Sequence, residues 1–288
     1  MMKLNRNAAV YSPDGTDIPL AAARTTHLAV AAHQDDIEFM AYSPIAECFQ
    51  KPDLWFSGVV VGDGAGSPRS GAYAAYSDEE MKAVRALEQK KAAHVGGYSM
   101  QILLGHPSEQ IKDAGDGEIE SELYEILRAA KPKYVYIHNL ADKHRTHVAA
   151  ALKTIAALRR LKKEERPFKV YGCEVWRDLD WLCDADKVCL DCGGHPNLAR
   201  ALSGVFDSQI AGGKRYDLAA EGRRMANATF SESHACDAYT ALNYAMDLTP
   251  LMEKETDIAE YLAGYIRRFE REVLGAVAEY TEEKKGGI

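Results

Sequence analysis

Residues 26–36 read Thr-His-Leu-Ala-Val-Ala-Ala-His-Gln-Asp-Asp, an apolar run followed directly by polar residues. The run from Thr26 to Ala32 predicts a buried β-strand, because a continuous apolar stretch of this length is typical of strands covered on both faces. The next four residues are His33, Gln34, Asp35 and Asp36. Ligands of open α/β sheets bind at the carboxyl ends of the strands, so these side chains occupy a favourable place for a functional site.

Strand and helix patterns alternate through the first two thirds of the chain. Further strands are predicted at 54–61, 99–104, 134–137 and 169–175, and helices at 77–94, 119–130 and 147–161. The first of these helices begins with a capping box, Ser77-Asp78-Glu79-Glu80, and stops at Gly96-Gly97. Strands separated by helices of this length predict an α/β fold with a mostly parallel, doubly wound sheet and helices on both faces.

After residue 190 the pattern is helical, with helices predicted at 196–206, 217–228 and 256–280. We expect a single domain, with an α/β core over residues 1–190 and a helical C-terminal extension over residues 191–288 packed on it. The last helix is amphipathic, with apolar residues at spacings of three or four. These are Ile258, Tyr261, Leu262, Tyr265, Ile266, Phe269, Val273 and Val277. This helix either packs on the body or forms a homo-oligomer, and the pattern does not choose.

The composition is that of an ordinary globular protein of 288 residues, with 47% apolar and 27% charged residues. The net charge of −8 argues against nucleic acid or an anionic membrane as the main partner. No apolar run approaches the roughly 20 residues of a membrane span, and no secretion signal follows Met1–Arg6. Six cysteines are too sparse for a disulfide scaffold. We therefore expect a cytoplasmic location.

A second polar cluster follows the strand predicted at 134–137. It contains His138, Asp142, His144 and His147. An Asp pair after a strand is often only a helix cap, and a His pair at a helix start is often solvated surface. Two such clusters at strand ends that a parallel sheet brings together instead favour a metal site, since His and Asp are common ligands of zinc.

The residue types match metal-assisted hydrolysis of an amide. A catalytic zinc or similar divalent ion takes about three protein ligands and leaves a position for water. His33 and Asp36 lie three residues apart across a turn, and His147 supplies the third ligand. A metal in such a site polarises a carbonyl oxygen and lowers the pKa of water.

Three further residues complete the predicted site. Asp35 is a spare carboxylate beside the ligands and is suited to act as general base. His144 lies three residues before His147, on the same face of a helical turn, where it stabilises an oxyanion or protonates a leaving amine. Asp142 orients one of the imidazoles as a hydrogen-bond acceptor.

The stretch Ala32-His33-Gln34-Asp35-Asp36, with Asp142-x-His144-x-x-His147 downstream, resembles the paired motifs of the PIG-L/LmbE-like deacetylases. The resemblance includes the glycine-rich loop 62–66 and Arg85-x-x-Glu88, and spans residues 26–150. It implies a Rossmann-like fold and metal-dependent removal of an N-acetyl group from an N-acetylglucosamine-type sugar or glycoconjugate, with Zn²⁺ or another divalent metal as the cofactor. It also implies ligand roles for His33, Asp36 and His147, the base role for Asp35, the acid or electrostatic role for His144, and a substrate contact for Arg85.

The sequence departs from the family pattern without removing a ligand or the base. Gln34 stands where the family usually has Pro, and Arg145-Thr146 replaces the usual Pro-Asp. These departures bear on substrate preference, for which Asp63 in the glycine-rich loop and Arg177 after a predicted strand are further candidate contacts.

Two other features receive a structural interpretation. The glycine-rich loop is not followed at once by a helix, as a nucleotide-binding turn requires, and we interpret it as a lid beside the metal. The cluster of Cys183, Cys189, Cys192 and His195 has spacing that suits a structural zinc, but it also suits a strand leading into a turn. Two functional alternatives stay open: a metal-dependent hydrolase of another N-acyl amide, and a sugar- or nucleotide-binding protein with a non-catalytic metal site.

Overall fold

The computed structural model describes residues 2–281. Met1 and residues 282–288, which belong to the predicted core and extension respectively, lie outside the described residues. The strands are β1 (Ala9–Tyr11), β2 (His27–Ala31), β3 (Phe56–Gly62), β4 (Met100–His106), β5 (Tyr134–His138), β6 (Lys169–Cys173), β7 (Val188–Asp191) and β8 (Leu242–Asp247). They form one mixed sheet in the order β1-β4-β3-β2-β5-β6-β8-β7.

The helices cover both faces of the sheet. They are α1 (Ile18–Ala23), α2 (Asp36–Met40), α3 (Tyr42–Cys48), α4 (Asp78–Gly96), α5 (Ser108–Lys112), α6 (Glu118–Ala130), α7 (Arg145–Arg160), α8 (Pro196–Gly204), α9 (Asp207–Ile210), α10 (Tyr216–Phe230) and α11 (Ile258–Thr281). Strands β2 to β6 pair with one another in parallel. Strand β1 is antiparallel to β4, and β8 is antiparallel to both β6 and β7. The predicted mostly parallel α/β fold is therefore confirmed.

Strand β2 separates two hydrophobic cores because its successive side chains point to opposite faces. Leu28 and Val30 belong to the core that contains residues of α6 and α7, whereas Ala29 and Ala31 belong to the core on the other face with residues of α3 and α8. All five residues of β2 are buried. This double burial explains why the strand is a continuous apolar run.

The predicted capping box at the start of α4 is present. The Glu80 backbone N–H donates to Ser77 Oγ at 3.3 Å, and the Ser77 N–H donates to Glu80 Oε2 at 2.8 Å. The helix ends at Gly97, whose φ of 63° lies in the left-handed region that glycine adopts readily.

The segment after residue 190 is helical except for β8, which the sequence analysis missed. This strand lies between β6 and β7, and it is antiparallel to both. Asn243 interrupts its apolar residues, but its side chain is buried and donates to the Phe39 carbonyl at 2.9 Å. Strands from both sides of residue 190 therefore share one sheet. The division into a core over residues 1–190 and an extension over residues 191–288 stays a prediction.

None of the helices within residues 2–281 has the length and apolar character that a bilayer span needs.

Candidate metal centre and cavity

The two polar clusters meet because β2 and β5 are parallel neighbours in the sheet. Residues 33–36 follow the carboxyl end of β2, and residues 139–147 follow the carboxyl end of β5. The parallel register places both loops at the same edge, as the sequence analysis expected.

Three ligand atoms converge at this edge. Asp36 Oδ2 lies 3.2 Å from His33 Nδ1 and 3.3 Å from His147 Nε2. The two imidazole nitrogens are 3.1 Å apart. Ligands bound to one tetrahedral zinc at about 2.0–2.1 Å are separated by about 3.4 Å, so this triangle has the dimensions of a shared ion site. The donor set of two imidazoles and one carboxylate is also chemically suited to zinc.

Two neighbouring histidines offer alternative ligand sets. The atoms of His33, His144 and His147 lie within 4.8 Å of one another, and so do those of Asp36, His138 and His147. His138 Nε2 accepts a hydrogen bond from the Ala32 N–H at 2.9 Å, which occupies its lone pair. His138 also stacks on His147 with ring centroids 3.9 Å apart. These contacts favour a supporting role for His138. For His144, the geometry leaves both a ligand role and a role toward the substrate possible.

Asp35 is held in an unusual backbone conformation. Its φ is 83°, a value that non-glycine residues rarely adopt and that costs about 1–3 kcal/mol. Gln89 Oε1 accepts a hydrogen bond from the Asp35 N–H at 3.1 Å, and Arg85 Nη2 donates to Asp35 Oδ2 at 2.9 Å. Strain that the surroundings impose in this way is typical of functional sites.

The environments of the two adjacent carboxyl groups push their pKa values apart. Burial raises the pKa of Asp35 to about 6, although the Arg85 guanidinium opposes this shift. Burial also acts on Asp36, but the imidazoles of His147 and His138 outweigh it and hold the pKa of Asp36 well below its ordinary value. A neighbouring pair of carboxyl groups with separated pKa values is the pattern of a base beside a ligand.

The imidazoles respond to burial and to these carboxylates. Burial lowers the pKa of His147 to about 4, so its ring is neutral at pH 7, as a metal ligand requires. Burial and the nearby His33 also lower the pKa of His144. For His33, burial is outweighed by the hydrogen bond and charge of Asp36, and the pKa is raised.

Asp142 lies behind His147, where the sequence analysis expected an orienting carboxylate. Its Oδ2 is 3.4 Å from His147 Nδ1 and accepts a hydrogen bond from the Trp176 N–H at 3.2 Å. Its Oδ1 accepts from the His144 N–H at 2.8 Å. The Asp142 carboxylate therefore links His147 of α7 and the preceding His144 to Trp176, which follows β6.

Arg85 lines the cavity, and its hydrogen bonds are made with the protein itself. The side chain is only 2% exposed, and it donates to Asp35, to the Gln34 carbonyl and to Glu88 Oε2 at 3.2 Å. Its predicted contact with substrate stays a prediction.

Sequence reasoning missed Gln89, which accepts the hydrogen bond from the Asp35 N–H. Gln89 lies four residues after Arg85 and therefore on the same face of α4, and this spacing could have indicated that it faces the site.

A cavity of about 490 Å³ opens at the His33 and Asp36 side of the triangle. His33, Asp35, Asp36 and His144 line it on the metal side, and Asp63 in the glycine-rich loop lies on its wall. Asp63 Oδ2 is 3.3 Å from Lys82 Nζ. Arg177 is exposed and does not belong to the lining, whereas its neighbour Trp176 does.

Another part of the cavity wall comes from the segment after residue 190, to which the sequence analysis assigned no site residue. Lys214, together with Tyr216, Ala219, Ala220 and Arg223 of α10, lines the cavity. No motif marks these residues, and only the packing of α10 against β8 and α8 brings them there.

The glycine-rich loop is fixed to the site by Gln34. The Gln34 amide donates from Nε2 to the Gly62 carbonyl at 3.0 Å. Gly64 has a φ of 81°, and a Cβ there would come within 2.8 Å of Gln34 Oε1. The loop can therefore approach the site this closely only with glycine at that position.

The cysteine cluster does not form a metal site among the described residues. The candidate metal-binding groups found in residues 2–281 contain only His and Asp. Cys192 is buried with its Sγ 3.5 Å from the Leu190 carbonyl, and Cys189 is exposed on β7. The geometry instead fits the interpretation of this segment as a strand, β7, that leads into a turn.

Three solved structures share the fold at low sequence identity. The conserved protein TT1542 from Thermus thermophilus has a TM-score of 0.58 and 18% identity, over 76% of this chain and 93% of that chain. GalB, the 4-carboxy-2-hydroxymuconate hydratase from Pseudomonas putida, has a TM-score of 0.58 and 18% identity, over 78% and 95%. The N,N'-diacetylchitobiose deacetylase from Pyrococcus horikoshii has a TM-score of 0.61 and 14% identity, over 85% and 92%.

The comparison with curated proteins found no match. Residues 28–158 match the family model described as PIG-L: GlcNAc-PI de-N-acetylase. This range begins in β2, ends in α7 and contains both polar clusters of the candidate metal centre. Over these residues, a little under half of the chain, the protein is similar to the PIG-L family.

Proposed function

We propose that the protein is a metal-dependent N-deacetylase acting on an N-acetylated amino sugar or glycoconjugate. One observation carries the proposal: the buried Asp35 carboxyl lines the same cavity as the His33 and Asp36 corner of the ligand triangle. A structural ion needs no additional carboxylate of this kind. The family description and the shared fold of a diacetylchitobiose deacetylase support the same reaction.

The residues that would hold the ion are His33, Asp36 and His147, with Zn²⁺ or another divalent cation as the cofactor. When bound, such an ion supplies Lewis-acid polarisation of a carbonyl oxygen and makes water a stronger acid. Asp142 fixes the orientation of His147, which is the usual role of a carboxylate behind a ligating histidine.

The protein's own groups then account for the proton transfers. Asp35, held by Arg85, takes a proton from the water that attacks the acetyl carbonyl carbon. His144 stabilises the developing oxyanion by hydrogen bonding. As the C–N bond breaks, protonated Asp35 or His144 returns a proton to the amine nitrogen, and the products are acetate and a free amino sugar.

The cavity suits a small polar substrate. Its volume of about 490 Å³ lies within the usual range of small-molecule sites. Trp176 provides an apolar face for a sugar ring, and Asp63 is available to polar groups. Because α10 forms one wall, we also propose that residues 1–190 and 191–288 act as one domain.

Release of free amine and acetate from a panel of N-acetyl sugars tests the proposal. We expect both products with zinc-loaded protein and neither with protein stripped by a chelator, with activity returning when zinc is added back. Since the fold is shared with a hydratase, both products must be measured. If zinc binds at one per chain and no sugar yields amine, the deacetylase assignment is wrong and the two alternatives, another N-acyl hydrolase or a sugar- or nucleotide-binding protein, take its place.

A further inference from the structure

The cavity has carboxylates at the candidate metal centre and cations where the chain after residue 190 forms its wall. Asp35 and Asp36 line the metal side. Lys214, just before α10, and Arg223, within α10, line another part of the wall, and both side chains are half-buried. The carboxylates have a role in holding an ion and moving a proton, whereas the two cations have no part in that chemistry.

Neither of these cations forms an ion pair with a carboxylate of residues 2–281, although α10 itself contains acidic residues. Asp217 pairs with Arg215, with the two atoms 2.9 Å apart. Glu221 pairs with Arg200 at 2.7 Å. The acidic residues of the helix are therefore held by other arginines, and the charges of the cavity wall are left without a negative partner.

Glu174 also lines the cavity, but its carboxylate is already satisfied by other donors. It accepts hydrogen bonds from the Asn227 amide at 2.6 Å and from two backbone N–H groups at 3.0 Å. Burial raises the pKa of Glu174, and the charge of Arg223 opposes this shift only in part. Arg223 itself donates from Nη1 to the Val175 carbonyl. A guanidinium has five N–H donors, so donors remain for a ligand.

Trp176 places the two cations close to the metal side of the cavity. Lys214 Nζ lies 5.4 Å from the centroid of the Trp176 ring, and Arg223 donates to the residue just before Trp176. The same indole has His144 as a neighbour, with ring centroids 5.9 Å apart. A sugar ring that packs on Trp176 with its acetamido group toward the metal centre therefore has its other substituents within reach of these cations.

We propose that Lys214 and Arg223 form a subsite for an anionic group of the substrate, a phosphate ester or a carboxylate, and that they select anionic N-acetyl amino sugars over neutral ones. The proposal rests on the deacetylase function proposed above and adds the charge of the substrate to it. Hydrogen bonds between ionised groups are about twice as strong as those between neutral groups. The arginine fork in addition matches the geometry of phosphate and carboxylate oxygens.

Steady-state kinetics with sugars that differ in charge tests the subsite. N-acetylglucosamine is compared with its 1-phosphate, with its 6-phosphate and with N-acetylmuramic acid, which carries a carboxylate on the same ring. We expect kcat/KM to be at least about tenfold higher for one of the anionic sugars than for the neutral one. The best of the three shows whether phosphate or carboxylate is preferred. Equal or better turnover of the neutral sugar than of every anionic one overturns the proposal.

Charge removal locates the preference in the cavity wall. In Lys214→Gln and in Arg223→Gln, kcat/KM for the preferred anionic sugar falls at least about tenfold and that for N-acetylglucosamine less than about twofold. Lys214→Arg keeps the charge and most of the preference. Lys143→Gln is the matched control, because it removes the same charge from an exposed residue outside the cavity lining, and it leaves the preference unchanged. If Lys214→Gln and Arg223→Gln lower both sugars equally, these residues only maintain the cavity wall and the proposal is wrong.

Binding of the amine products separates this proposal from the deacetylase function, because it requires no turnover. Calorimetric titration of the zinc-loaded protein compares glucosamine with its 1-phosphate, its 6-phosphate and muramic acid. Binding of an anionic amine at least about tenfold tighter than glucosamine, lost in Lys214→Gln, supports the subsite even if no sugar is deacetylated. Release of amine from neutral sugars, together with equal binding of all four amines, would overturn the subsite and leave the proposed function standing.

Discussion

Arg85 donates a hydrogen bond from Nη2 to Asp35 Oδ2 over 2.9 Å, within a pair that is almost completely buried. The guanidinium lies between two carboxylates, because its Nη1 also donates to Glu88 at 3.2 Å. The pair links the proposed base to helix α4 and counteracts the effect of burial on Asp35. Arg85 is therefore placed to position the base, a role different from the substrate contact that the family resemblance implies.

Arg85→Lys separates these two roles. Lysine keeps the charge but cannot provide the planar donor fork, so Asp35 loses its fixed orientation. We expect kcat to fall about tenfold with little change in KM, and we expect the metal content to stay at the wild-type level. Steady-state kinetics with the best sugar substrate give the two constants. A raised KM with an unchanged kcat would show instead that Arg85 binds the substrate.

Asp35→Asn tests the general base. The amide is nearly the same size but cannot accept a proton, so kcat falls by about 10²- to 10⁴-fold while zinc remains bound. Asp36→Asn is the matched control, because it changes the neighbouring carboxylate in the same way but removes a ligand. In that variant both the metal content and the activity fall. Near-normal turnover by Asp35→Asn would mean that another group takes the proton.

The two histidines of the second cluster differ in their expected effect on the metal. His147→Gln removes a ligand of the Asp36 triangle, and we expect the zinc affinity to fall by at least about a hundredfold. His144→Gln keeps one zinc per chain and lowers kcat, because His144 acts on the substrate in our proposal. Elemental analysis after dialysis and calorimetric titration measure both effects. Loss of zinc in both variants would favour the set of His33, His144 and His147.

Most of the sheet could be predicted from the sequence because its parallel strands are apolar runs bounded by clear helix signals. The Ser77 cap and the Gly97 stop define α4 locally, and no distant contact is needed to recognise them. The meeting of the two polar clusters followed from one topological rule about parallel strands. These features are local in sequence or follow from the sheet itself.

The parts that were missed depend on contacts between distant residues. Strand β8 is fixed by its position between β6 and β7, and its Asn243 is satisfied by carbonyl groups of α2 that lie about 200 residues earlier in the chain. The cavity wall from α10 follows from the same packing. The positive φ of Asp35 is likewise imposed by Gln89 and Arg85 rather than by its own sequence. Such features have no local signal, so only the folded chain shows them.

The stability of the protein is expected to fall in mildly acidic solution because of His27. This side chain is 2% exposed and stacks on Tyr134, with ring centroids 4.9 Å apart, far from the metal centre at the opposite end of β2. Burial, assisted by the charge of Lys133, lowers its pKa from 6.5 to about 4. The unfolded chain therefore takes up a proton at a higher pH than the folded chain does, and stability present above pH 6.5 is lost as the pH falls toward 4.

The shift in the pKa of His27 corresponds to a loss of up to about 3 kcal/mol across this range. Urea denaturation at a series of pH values measures it. In His27→Phe the ring stacking is retained and the titrating group is gone, so the free energy of unfolding changes less between pH 6.5 and 4 than in the wild type. His94→Phe is the matched control, because His94 is exposed, and we expect it to keep the wild-type pH dependence. Equal slopes for the wild type and His27→Phe would show that His27 does not carry this linkage and that other groups cause the acid sensitivity.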